Sequence, residues 1–171
     1  MVEYLWVICM KFGIICVSDR CYKGLCEDKS GIVIADCVKL LCDEKVYKLV
    51  PDEKDFISNV ICELADKEKC DVIFTTGGTG FAPRDITPEA TKDVIEKEVP
   101  GISEAIRAKS LEITDNAMLS RAVSGIRGQS LIINLPGSPK AVKESIDIIL
   151  NVLPHAVETL SGKTQNCGGN Y

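Results

Sequence analysis

Residues 71–89 read DVIFTTGGTGFAPRDITPE. Asp71–Thr76 is a short apolar run rich in β-branched residues, bounded by glycines. That fits a strand buried on both faces and is too short for a buried helix. Three glycines in the next four residues, Gly77, Gly78 and Gly80, make a turn whose backbone can come close to a ligand. Thr87 then suits a helix N-cap, Pro88 the first helical position and Glu89 the first turn. A buried strand, a glycine turn and a capped helix form one unit of an α/β protein.

The units upstream repeat this order. Phe12–Val17 is a continuous apolar run and reads as strand one. A loop spans Arg20–Ser30. Residues 31–43 carry a broad apolar helical face, Lys45–Val50 is strand two, and residues 54–68 are the next helix, with Phe56, Ile57, Val60, Ile61, Leu64 and Ala65 at three- and four-residue spacing. Two strand–helix units feeding a third strand wind into a right-handed parallel sheet. Ligands in such sheets bind at the carboxyl ends of the strands. That rule sets Ser18-Asp19, Asp52 and the Gly77–Gly80 loop on one edge.

Downstream, Pro100-Gly101 ends or redirects the helix begun at Thr87, and residues 102–111 form another. Asn116–Arg121 reads as a short helix. Val123–Arg127 and Ser130–Leu135 flank Gly128-Gln129 and read as a hairpin. Ser138 suits an N-cap with Pro139 behind it, opening a helical stretch over 140–160 with a break at Pro154.

Composition bounds the function. The chain has 171 residues and a formal charge of −5, with 46% hydrophobic and 26% charged residues. This is one globular domain without a basic surface for sequence-independent nucleic-acid binding. Nine cysteines are an odd count for a paired secreted framework, and no two are spaced C-x-x-C. Most of them read as small apolar residues of a reducing, cytoplasmic protein. The single histidine, His155, lies in the last helical stretch and reads as structural, which leaves no Ser-His or Cys-His nucleophile pair. Residues 4–17 are almost all apolar, but Lys11 interrupts them and they are too short to span a membrane. The expected division is an extension over 1–10, a domain over 11–162 and a flexible polar tail over 163–171.

The chemistry-bearing residues cluster in three loops. Amides and hydroxyls of Thr76, Gly77, Gly78, Thr79 and Gly80 can cradle an anion, and Arg84 adds a fixed positive charge. Asp85 then sets a carboxylate beside that anion, an arrangement that Mg²⁺ between carboxylate and phosphate oxygens would reconcile. Asp52 could complete a two-carboxylate metal site. Pro136, Gly137, Ser138 and Pro139 form a second Gly/Pro loop at a helix N-terminus, suited to a phosphate or a polar ring edge. Arg121 and Arg127 could contact an anion. Each feature also has a plainer reading: a tight βα turn, an exposed turn aspartate, a capped helix and surface salt bridges. Neither the P-loop nor the dinucleotide-binding glycine pattern is present.

These segments, TTGGTGFAPRDITPEAT (75–91), LSRAVSGIRGQSLIINLPGSPKAVKE (119–144), VSDR (17–20) and LVPDE (49–53), resemble the MogA/MoaB family of molybdenum-cofactor biosynthesis proteins over residues 11–160. The resemblance implies a three-layer αβα sandwich with a mostly parallel sheet, a homotrimer or hexamer, and molybdopterin binding. For Mog-type members it implies Mg²⁺-dependent adenylylation of molybdopterin by ATP, with a MoeA-type molybdenum insertase downstream and no role for nucleic acid or membrane. The family's two essential aspartates fall on Asp52 and Asp85, its glycine loop on Thr76–Gly80, and its second pterin loop on Pro136–Pro139. Ser120 and Arg121 match a further segment near the site. A MoaB-type carrier that binds molybdopterin without turning it over is the alternative.

Overall fold

The computed structural model describes residues 9–162. The expected tail over 163–171, and residues 1–8 of the expected N-terminal extension, lie outside the described residues. Six strands, β1 (Met10–Val17), β2 (Cys42–Val50), β3 (Val72–Thr76), β4 (Lys97–Glu98), β5 (Ser124–Arg127) and β6 (Ser130–Leu135), form one sheet in the order β2-β1-β3-β6-β5-β4. The β2-β1-β3-β6 ladder is parallel throughout, while β5 runs antiparallel to both β6 and β4. The mostly parallel α/β sheet expected from the sequence is therefore present. The chain leaves β1 for β2 on one side and returns to β3 on the other, so the crevice between the ends of β1 and β3 is the topological switch point.

Alternation along the central strands explains the two helical layers. Phe12, Ile14, Phe74 and Ile133 face one side and are at most 1% exposed. There they pack with helices α2 (Lys29–Cys37), α5 (Pro100–Leu111), α6 (Pro139–Ile149) and α7 (Leu153–Leu160). The Phe12 and Phe74 rings stack at 6.0 Å. Ile15, Val17, Ile73 and Ile132 face the other side, against α3 (Lys54–Cys62) and α4 (Thr87–Lys92). Strands buried on both faces have no polar alternation, which is why they appear as unbroken apolar runs.

Several boundaries differ from the sequence reading, each for a local reason. A short helix α1 (Asp19–Tyr22) interrupts the expected loop after β1. Helix α2 begins at Lys29 because the Asp28 carboxylate accepts the Ser30 and Gly31 amides at 3.0 and 2.9 Å. It ends at Cys37, six residues before the expected boundary, and Leu40 of the turn that follows is 83% exposed. That leucine imitated a buried helical face. Helix α3 widens into a π turn over Glu63–Lys67 before Lys69 takes a positive φ. Thr87 is the first residue of α4 and not its cap; its hydroxyl donates instead to the Gly77 carbonyl at 2.9 Å. The edge strand β4 is two exposed residues and carries no apolar signal. The short helix near residue 116 is a 3₁₀ turn over Asp115–Leu119. The hairpin forms with Arg127 paired to Ser130 across Gly128 (φ 55°) and Gln129. The break in the last stretch is a 3₁₀ turn over Leu150–Val152, just before Pro154.

Candidate active site

The glycine loop leaves β3 at the switch point. Gly77 and Gly78 have φ of 99° and 64°, a region costly for side chains. Space excludes them as well. A Cβ on Gly77 would overlap the Val17 carbonyl oxygen at the end of β1. One on Gly78 would overlap the Thr87 hydroxyl and come within 3.2 Å of Asp52 Oδ1. One on Gly80 would sit 2.9 Å from Asp85 Oδ2. The bare loop is therefore the floor onto which both aspartates converge, Asp52 from the end of β2 and Asp85 from the loop itself.

Two neighbours organise these carboxylates. Asp52 Oδ2 accepts the Asp19 amide at 2.8 Å, and Asp19 Oδ1 accepts the Asp52 amide at 3.1 Å. Arg84 closes the arrangement with a two-pronged contact to Asp19, Nε to Oδ2 and Nη2 to Oδ1, both 3.0 Å. Asp85 Oδ2 accepts the Ala82 amide at 3.1 Å. Burial, together with the negative charges of Asp19 and Asp85, pushes the Asp52 carboxyl above its ordinary value. Burial opposes ionisation of Asp19 too, but the Asp52 amide and the Arg84 guanidinium outweigh it and hold that carboxyl below its ordinary value. Asp19 was not among the catalytic or binding residues expected from sequence. Its position directly after a buried parallel strand was the available signal.

The opposed shifts have a measurable consequence. A carboxylate whose folded pKa is raised weakens the fold when ionised, and the penalty disappears as pH falls through that pKa. Asp52→Asn is therefore expected to raise the melting temperature of the ligand-free protein at pH 7–8. The gain should shrink in acid, where both forms are neutral. A melting series from pH 3 to 8 checks this.

Arg121 is anchored and does not reach into the crevice. Its Nε donates to the Gly80 carbonyl at 2.7 Å, its Nη2 to the Asp85 carbonyl at 2.9 Å, and its Nη1 pairs with Glu89. It thus fixes both ends of the loop segment that carries Asp85. Arg127 lies at the opposite edge of the sheet, where it pairs with Asp66 at 2.6 Å, so its reading as an anion contact gives way to the salt bridge. The second loop meets the first. Thr76 Oγ1 donates to the Pro136 carbonyl at 2.7 Å, and Ser30 Oγ donates to the Gly137 carbonyl at 2.8 Å. Ser138 caps α6, its hydroxyl accepting the Ala141 amide at 3.2 Å, and Pro139 is the first residue of α6.

Beside the glycine loop lies a cavity of about 270 Å³ between β6, α5 and α6. Thr79, Gly80, Ser120, Asn134, Pro136 and Ser145 are among its walls. Asn134 is fully engaged: Nδ2 donates to Thr75 and Thr91, both at 2.9 Å, and Oδ1 accepts the Val123 amide. Ser145 is not. It is 1% exposed, and its hydroxyl has no hydrogen-bond partner among the described residues. Such an orphan costs about 1–3 kcal/mol unless a guest satisfies it.

Comparison with known proteins decides the family. A model described as "Probable molybdopterin binding domain" matches residues 13–155. The chain belongs to this molybdopterin-binding domain family. Its relatives include the molybdopterin adenylyltransferase of Helicobacter pylori strain J99, 44% identical over 153 residues, which are 88% of this chain and 87% of that protein. The molybdopterin adenylyltransferase of Escherichia coli K12 is 39% identical over 155 residues, 86% of this chain and 80% of that one. The crystal structure of the molybdopterin biosynthesis enzyme MoaB from Thermus thermophilus superposes with a TM-score of 0.83 at 44% identity, covering 92% of this chain and 99% of that one. Among the described residues, no helix is long and apolar enough to cross a membrane.

Proposed function

We propose that this protein transfers the adenylyl group of ATP to the terminal phosphate of molybdopterin, releasing pyrophosphate, and that Asp52 and Asp85 would hold the Mg²⁺ that accompanies the nucleotide. The observation that carries the proposal is the convergence of Asp52 and Asp85 on the bare glycine loop, 3.2 and 2.9 Å from where Cβ atoms of Gly78 and Gly80 would stand. Among the described residues, no group of three acidic, cysteine or histidine side chains is placed to hold a metal by itself. Two carboxylates that rely on substrate phosphates for the remaining ligands suit Mg²⁺, which keeps several waters and favours such mixed shells. The raised pKa of Asp52 fits as well, because a cation relieves the crowding of Asp19, Asp52 and Asp85.

The chemistry needs little beyond placement. A phosphate oxygen of molybdopterin forms a bond to the α-phosphorus of ATP, and the bond from that phosphorus to the β-bridging oxygen breaks. The nucleophile is already ionised at neutral pH, so no general base is required. Bound Mg²⁺ would supply neutralisation of the triphosphate charge. The amides of Gly78, Thr79 and Gly80 would hold the incoming phosphate, while the Gly77 amide donates to the Leu135 carbonyl at 3.4 Å, and Arg121 would keep that loop in register through its Gly80 and Asp85 contacts. The neighbouring cavity, whose walls include Ser120 and the unpartnered Ser145 hydroxyl, would take the pterin. A homotrimer in the cytoplasm, handing its product to a MoeA-type insertase, accompanies this reading.

Retention of both aspartates favours turnover over a carrier that only shelters the pterin. Pyrophosphate release by the purified protein tests the choice. Release that requires ATP, Mg²⁺ and molybdopterin together is expected; stoichiometric pterin binding with no pyrophosphate would establish the carrier.

A further inference from the structure

Most of the thiols were expected to serve as apolar filling. That holds for Cys16 and Cys70, which are 4% and 1% exposed, but not for Cys26, which is exposed, or for Cys21, which is half-buried. The chain brings these last two together by a defined turn. Helix α1 ends with Gly24 at φ 71°, its amide donating to the Cys21 carbonyl while the Leu25 amide donates to the Arg20 carbonyl, both at 2.9 Å. These paired bonds are the Schellman closure of a helix, and they reverse the chain over its own last turn. The reversal carries Cys26 back to Cys21, and the two Sγ atoms lie 2.7 Å apart. Less than about 1 Å of closing movement separates this contact from an S–S bond.

We propose that Cys21 and Cys26 are a modification site, a dithiol that converts reversibly to an intramolecular disulfide on the wall of the substrate crevice. The crevice wall that includes both cysteines also includes Thr76, Gly77 and Gly137. The oxidant is a low-molecular-weight disulfide. One cysteine thiolate attacks one of its sulfurs, which breaks the small S–S bond and releases the first small thiol. The other cysteine sulfur then displaces the second, so one S–S bond of the oxidant gives way to one in the protein, and two protons and two electrons leave with the two small thiols. The contact is symmetric, so either thiol can open the sequence: the sulfurs lie 2.7 Å apart, and each is within reach of a mixed disulfide formed on the other. Cys16, on the same crevice wall, does not compete. Burial, followed by the Asp28 charge, holds its thiol protonated far above its ordinary range.

Peptide mapping of the intact protein after exposure to oxidised glutathione tests the assignment. Trypsin cuts after Arg20, Lys23 and Lys29, so the two cysteines fall in the separate peptides 21–23 and 24–29. The expected dominant product is these two peptides joined, separating on treatment with dithiothreitol. C21S and C26S should each abolish the link and leave the remaining cysteine as a mixed disulfide with glutathione. Gly24→Val keeps both thiols and meets open space, yet it opposes the positive φ and should slow the linking several-fold. Recovery of the two peptides unlinked from the wild-type protein, linkage of either to another cysteine, or an unchanged rate in Gly24→Val would overturn the proposal.

Discussion

Asp85→Asn is expected to lower adenylyl transfer by about 10²–10³-fold, the scale seen when one preorganised group is removed from a site of transition-state stabilisation. The substitution is nearly isosteric, and asparagine can still accept the Ala82 amide as Asp85 does now at 3.1 Å. The loop should therefore keep its shape, held by Arg121 through the Gly80 and Asp85 backbone carbonyls. Molybdopterin should bind as well as before or more tightly, because a negative charge next to its phosphate is gone. Steady-state turnover and equilibrium pterin binding, measured on the same preparation, separate the two effects. Loss of both together would mean that Asp85 shapes the loop rather than serving the phosphates.

Gly77→Ala is expected to have the largest effect on stability, about 2–6 kcal/mol, from backbone strain and overpacking of about 1–3 kcal/mol each. Alanine at φ 99° is strained by about 1–3 kcal/mol. Its Cβ would also overlap the Val17 carbonyl oxygen, which is main chain at the end of a central strand and cannot rotate away. Relief requires β1 and β3 to part at their carboxyl ends, and they are paired from Phe12–Val72 to Cys16–Thr76. Urea unfolding should show a lower midpoint with an unchanged slope, the mark of a destabilised native state. Gly24→Ala, also at positive φ but with nothing within 4 Å of its Cβ position, supplies the comparison in which strain acts without the clash.

The sheet was legible from sequence because its central strands are buried on both faces. Phe12–Val17, Val72–Thr76 and Ser130–Leu135 need no partner information to stand out as apolar runs. Alternative placements of Gly77, Gly78, Asp52 and Asp85 were limited by the same logic, since parallel strands deliver their loops to one edge. The relations between side chains were not legible. Arg84 and Arg121 both read in sequence as cations free to meet an anion. In the structure one pairs with Asp19 across 65 residues and the other holds the loop's own carbonyls across 36 and 41. Asp19 was placed on the right edge but given no role, because that role depends on a reciprocal exchange of amide bonds with Asp52, 33 residues away. Thr87 satisfied every local criterion for an N-cap, yet its hydroxyl is taken by the Gly77 carbonyl. Tertiary hydrogen bonds of this kind leave no periodic trace.

The most direct test of the central claim is to follow the α-phosphate. Purified protein is incubated with Mg²⁺, molybdopterin and ATP labelled at the α-phosphorus, and the pterin fraction is analysed by mass spectrometry. The label is expected to move with AMP onto the pterin phosphate, one equivalent per pyrophosphate released, and Asp85→Asn is expected to block the transfer. Pterin recovered unlabelled from the wild-type protein, with ATP intact, would contradict the proposed transfer.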